Sequence, residues 1–146
     1  MIKLYKFSIW TVMVMQALTG IFHTIGLFAD TAPKNETEKQ LKSLMDNYHM
    51  PDGMGFSPTA SSLFFALSAC FSLLCFMGAM LNFYLMRKKV SPALIKGIYG
   101  IQAIIFGVCF TLMLFYTFLP PVVCTGLIFT GCLGVYFSAP REFNLK

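Results

Sequence analysis

Acidic side chains are scarce in this sequence: six among 146 residues. Asp30, Glu36, Glu38, Asp46 and Asp52 share one polar segment, and Glu142 lies near the C-terminus, so no acid falls in a long apolar stretch. Charge of either sign makes up 12% of the chain, against about 25% in an ordinary soluble domain. So few charges do not cover a soluble globule of this size. The missing intramembrane carboxylate argues against a proton- or cation-coupled transporter, which ordinarily carries one. No glycine-rich nucleotide loop, HExxH, GxSxG or pair of intramembrane carboxylates occurs. The sequence therefore offers no catalytic residues.

Cysteine is absent from the polar segment, where an oxidising compartment would place structural disulfides. Cys70, Cys75, Cys109, Cys124 and Cys132 all fall in apolar stretches and form no CxxC pair, which reads as small core thiols. Cys70, Cys109 and Cys132 come at similar depth, but the pattern is too loose to define a Cu(I) site. No metal site and no cofactor are expected. Nucleic acid is excluded as a partner despite a net charge of +5. The densest basic cluster, Arg87-Lys88-Lys89, is wedged between two apolar runs and has no aromatics interleaved with it.

What the chain does have is apolar length. Hydrophobic residues make up 57% of it. Four stretches approach the ~20 residues a membrane-crossing helix needs: about 4–28, 59–86, 92–119 and 122–139. The fold class is all-α: one membrane domain, 1–146, with four transmembrane helices in a bundle. Pro120-Pro121 separates the last two spans as a tight reversal, because two prolines do not continue a helix. Lys3, Lys6, Arg87, Lys88, Lys89, Lys96, Arg141 and Lys146 fall on one side, against Lys34, Lys39 and Lys42 on the other. The positive-inside rule then puts both termini in the cytoplasm and loop 29–58 outside. The first span is twice a signal-peptide core, carries Gln16 and His23, and is read as retained.

Within the outer loop, Leu41, Leu44, Met45 and Tyr48 recur at helical spacing. With the opposite-charge pairs Lys34/Glu38 and Glu38/Lys42, they predict an amphipathic helix over Glu36–Tyr48. It lies on the membrane or caps the bundle. Asn35 suits its N-cap and also opens an Asn-x-Thr glycosylation sequon, which matters only in a eukaryotic host. Pro51-Asp52-Gly53 reads as a turn, and Ser57-Pro58 as the N-cap and first residue of the second span.

A polar face on the first span and stripes of small residues on the other three mark a packing seam on each. In the first these are Gln16, Thr19, Gly20 and His23; in the second Ser61, Ser68, Ser72, Cys75, Ala79 and Asn82. In the third they are Gly100, Ala103, Gly107 and Thr111; in the fourth Gly126, Thr130, Gly134 and Ser138. Such faces also suit self-association or contact with other membrane proteins. His23 is the one titratable group inside a span, near its outer end. Its plain role is a neutral hydrogen bond to a neighbour; its functional role would be proton or ligand handling. A ligand pocket, if present, opens outward between His23, Gln16, Ser61 and Tyr48.

Gly20-Ile21-Phe22-His23, the thirty-residue loop with its short helix, the Ser-rich second span, the basic turn and the closing hairpin form one pattern. It resembles an uncharacterised family of small bacterial four-helix integral membrane proteins. The resemblance implies the bacterial inner membrane and brings no activity. The expected role is a non-catalytic accessory subunit or small-ligand-binding bundle. The alternative is a membrane-embedded redox or other enzyme using His23 in an outward-facing pocket.

Overall fold

Four of the apolar stretches become long helices, and the polar loop contributes a short one. The computed structural model describes residues 2–29, 32–51, 55–88 and 90–140. Its elements are α1 (Ile2–Phe28), α2 (Glu36–Asn47), α3 (Ala60–Arg87), α4 (Pro92–Tyr116) and α5 (Leu119–Ser138). The described residues include no strand, only an isolated antiparallel bridge between His49 and Thr59. All four long helices have the length and composition to cross a membrane. The shortest, α5, has 20 residues, about 30 Å of helix and so one hydrocarbon core.

The helix ends differ from the expected boundaries for local reasons. The α3 helix begins at Ala60 and not at Pro58. Thr59 caps it: its hydroxyl accepts from Ser62 N at 3.2 Å, and Ser62 Oγ accepts from Thr59 N at 3.0 Å. This is the reciprocal arrangement of a capping box. Pro58 is held out of the helix because its carbonyl accepts from Met50 N at 2.9 Å. Ser57 is occupied as well, its carbonyl lying 2.6 Å from His49 Nδ1. In the same loop Gly55 has φ +88°, a conformation that glycine adopts without steric cost. Asp52 and Gly53 of the expected turn lie outside the described residues.

The α4 helix stops at Tyr116, short of the expected Leu119. Thr117 turns extended and its N–H and hydroxyl both donate to Met113 O, at 3.0 and 2.8 Å. Pro120-Pro121 is not a bare reversal; both prolines lie in the first turn of α5. A first-turn residue has no intrahelical acceptor for its N–H, so proline loses nothing there. Asn35 caps α2 as expected, its side chain accepting from Glu38 N at 2.8 Å.

Two units divide the chain: Met1–Thr19 with Cys75–Lys146, and Gly20–Leu74. In the larger unit each helix has a core stripe at spacings of three or four. They are Tyr5, Ile9, Val12, Gln16 and Thr19 on α1, and Cys75, Ala79, Asn82 and Leu85 on α3. On α4 the stripe is Ile95, Tyr99, Gln102 and Phe106, and on α5 it is Thr125, Ile128, Cys132 and Val135. That is the period of a left-handed helical seam.

Glycines allow the close approaches. A Cβ on Gly131 would lie 2.7 Å from Val12 Cγ2, and one on Gly134 2.8 Å from Ser8 Oγ. Gly107 faces Phe129 and Gly126 faces Phe110, and those two rings stack at 6.2 Å. Of the expected α5 seam, Gly126, Gly134 and Ser138 pack, whereas Thr130 is exposed and bonds back to Gly126 O at 2.8 Å.

The smaller unit is built differently. Gly20 and Ser72 are its only buried described residues. His23 meets Phe71 edge-on at 5.1 Å, and Phe28 meets Phe65 at 5.8 Å. Ser61 donates a short hydrogen bond to the Asp46 carboxylate, tying α2 to the start of α3.

Candidate functional site

Inside the larger unit, three core-stripe positions carry carboxamides: Gln16 on α1, Asn82 on α3 and Gln102 on α4. Gln16 and Asn82 have no exposed surface and Gln102 has 7%. An amide moved from water without partners costs about 2–7 kcal/mol, so the bonding here decides whether these helices can pack. Gln16 Nε2 donates to Gln102 Oε1 at 2.9 Å, and Gln102 Nε2 donates to Asn82 Oδ1 at 2.9 Å. Asn82 Nδ2 closes the ring onto Gln16 Oε1 at 2.8 Å and also reaches Gln102 Oε1 at 3.1 Å. Every carbonyl oxygen accepts and every amide nitrogen donates. Three helices are joined at one point with their amide oxygens and nitrogens all engaged.

Gly78 makes room for the ring. A Cβ there would lie 2.5 Å from Gln16 Nε2 and 2.8 Å from its carboxamide carbon. Nearby polar groups are less well served. Thr19 Oγ1, one turn along α1, and Tyr99 OH, one turn along α4, are buried without a hydrogen-bond partner.

The expected pocket residues separate into distinct surroundings. Gln16 spends its carboxamide on Asn82 and Gln102. Ser61 bonds Asp46 beside a groove of about 450 Å³ lined by Pro33, Leu41, Met45 and Lys34. Tyr48 ends α2 and is 55% exposed, as are Leu41 and Leu44 at 56% and 62%. No residue of α2 is buried, so its apolar face is open. His23 is half-buried, and its Nε2 is buried without a partner, as is Ser72 Oγ in the same unit. Among the described residues no three His, Cys, Asp or Glu side chains gather as a metal site.

Gln102 was not legible as a site residue from small-residue spacing, because it stands beside the Gly100–Ala103–Gly107 stripe and not on it. Its signal is simpler: a carboxamide in the middle of an apolar span needs a partner. Asn82 sits on the expected seam, but its pairing with Gln16 is visible only in three dimensions. Compared with known proteins, the chain matches no family model, no curated protein and no solved structure.

Proposed function

We propose that this chain is an integral membrane protein whose four long helices form one bundle, with both termini cytoplasmic and the α2 loop outside. Its role is that of a non-catalytic accessory subunit. Exposed apolar side chains support the membrane reading: Phe22, Leu67, Ile104 and Phe115 are 65–75% exposed, far from what water favours. Orientation rests on the Lys/Arg asymmetry. The open apolar face of α2 suits the outer membrane surface.

The observation that carries the accessory role is the carboxamide ring. The three carboxamides buried in the larger unit are turned on one another across three helices, which is how a membrane bundle fixes its packing. A single cysteine at Lys39 in a Cys-free chain tests the topology: labelling from outside is expected, and labelling only from the cytoplasm overturns it. Purification in mild detergent tests the role. A stoichiometric membrane-protein partner is expected, and a stoichiometric haem, flavin or copper on the isolated chain would overturn it.

One observation favours the alternative, a ligand- or proton-handling site at His23: its buried, unpartnered Nε2. His23→Gln keeps a hydrogen-bonding group. Loss of the cellular phenotype at normal abundance supports that site, and full activity removes it.

A further inference from the structure

A second feature of the larger unit is an open groove of about 560 Å³ between α1 and α3. It exists because Ala17 and Ala79 are small where their neighbours Phe76, Met80 and Phe83 are large. Ala79 is 8% exposed, while Met80 and Phe83 on the rims are 71% and 53% exposed. Its lining is apolar except at one end, where Arg87 stands. From Phe76 to Arg87 the helix rises about 16 Å at 1.5 Å per residue, close to the ~15 Å depth of one leaflet's hydrocarbon.

Charge identifies the occupant. Among the described residues this unit holds Lys3, Lys6, Arg87, Lys88 and Lys96 and not one carboxylate. Lys88 Nζ lies over the Tyr84 ring at 5.6 Å and Lys96 Nζ over Tyr136 at 4.7 Å, cation–π contacts in place of ion pairs. Arg87 has no ion pair among the described residues. A second copy packed symmetrically into the groove would bring another Arg87 to the same basic end.

We infer that the groove holds an acyl chain of an anionic glycerophospholipid, its phosphate bound by Arg87 with Lys88 beside it. Guanidinium takes phosphate oxygens through paired N–H donors. The inference rests on the membrane reading above.

Native mass spectrometry of the full chain in mild detergent, titrated with dioleoyl phosphatidylglycerol or dioleoyl phosphatidylcholine, tests it. Phosphatidylglycerol should bind the wild type more tightly. Arg87→Gln should weaken phosphatidylglycerol about fivefold, the effect of one charge near a lipid surface, and weaken phosphatidylcholine less, because its choline already offsets the phosphate charge. Ala17→Phe, filling the groove, should weaken both; Val14→Trp on the exposed rim is a second filler should the first fail to fold. Equal affinity for the two lipids overturns the inference, as does undiminished phosphatidylglycerol binding to a folded filler variant. Self-cross-linking in membranes of a cysteine placed at Met80 overturns it in favour of a second copy. A chain that does not sediment with membranes fails the membrane reading itself, whereas an inserted chain without lipid preference fails only this site.

Discussion

Both units draw on the apolar helices α1 and α3 and yet bury very different amounts. Within the first nineteen residues Tyr5, Ser8, Ile9, Val12, Met13, Gln16 and Thr19 are buried, whereas 21–28 bury none. Along α3, residues 60–74 bury only Ser72, and 75–87 bury Cys75, Gly78, Ala79, Asn82 and Leu85. The difference lies in what the apolar residues meet. The larger unit has glycines pressed against side chains and a satisfied carboxamide ring. The smaller one holds all of the chain's described carboxylates and an open α2. Hydropathy measures the solvent a helix suits; packing depends on small residues and polar partners at particular positions.

Glycine replacement gives the sharpest break in that comparison. Gly78→Leu and Gly131→Leu in the larger unit should lower stability in detergent by about 3 kcal/mol, the upper range for overpacking. Gly126→Leu and Gly134→Leu should follow, Gly126 more mildly because a Phe110 ring edge can turn aside. Gly26, in the smaller unit, has nothing within 4 Å of a Cβ. Gly26→Leu should leave stability unchanged or slightly raised, since leucine is the better helix former. Equal losses at Gly26 and Gly78, read by thermal unfolding in detergent, would erase the distinction.

Polar deletion comes next. Asn82→Leu takes away partners from both Gln16 and Gln102 and should cost about 1–2 kcal/mol, the range for interhelical hydrogen bonds in membranes. His23→Leu removes a ring whose Nε2 has no partner, and should cost less than Asn82→Leu in the same unfolding assay. A reversed ranking would place the stronger polar contact in the smaller unit.

Two smaller effects sharpen the contrast. Asn35→Ala removes the α2 cap and should cost about 1 kcal/mol locally. Hydrogen exchange should quicken across Glu36–Asn47 while α4 and α5 stay protected. Leu127 is 43% exposed, so Leu127→Ala should change unfolding stability by no more than about 0.5 kcal/mol.

The four long helices and the loop helix were legible because apolar length and 3.6-residue periodicity are strong signals. Boundaries at Ala60, Tyr116 and Leu119 were not, since they depend on which carbonyl or hydroxyl each loop residue finds. The α5 seam was legible only in part. A spacing of four drifts about 40° per step around a helix. Gly126 therefore meets Phe110 on α4 while Gly134 meets Ser8 on α1, and Gly131, off the stripe, makes the closest approach of the α5 glycines. The carboxamide ring escaped for a related reason. Gln16, Asn82 and Gln102 look alike in sequence, and only the fold shows that they are one another's partners.

The ring also has a consequence for the order of biogenesis. Asn82 and Gln102 exchange hydrogen bonds in both directions, Gln102 Nε2 to Asn82 Oδ1 and Asn82 Nδ2 to Gln102 Oε1. They flank a short connection, so in the membrane protein proposed above α3 and α4 can leave the insertion machinery as a hairpin with their amides already paired. Gln16 is synthesised first and has no such partner on its own helix. Until that hairpin arrives, α1 is a lone span with an unmet amide, the state in which a membrane chaperone would hold it and a quality-control protease would cut it. Translation stalled before Asn82 should therefore leave a short-lived α1, and release past Gln102 should protect it.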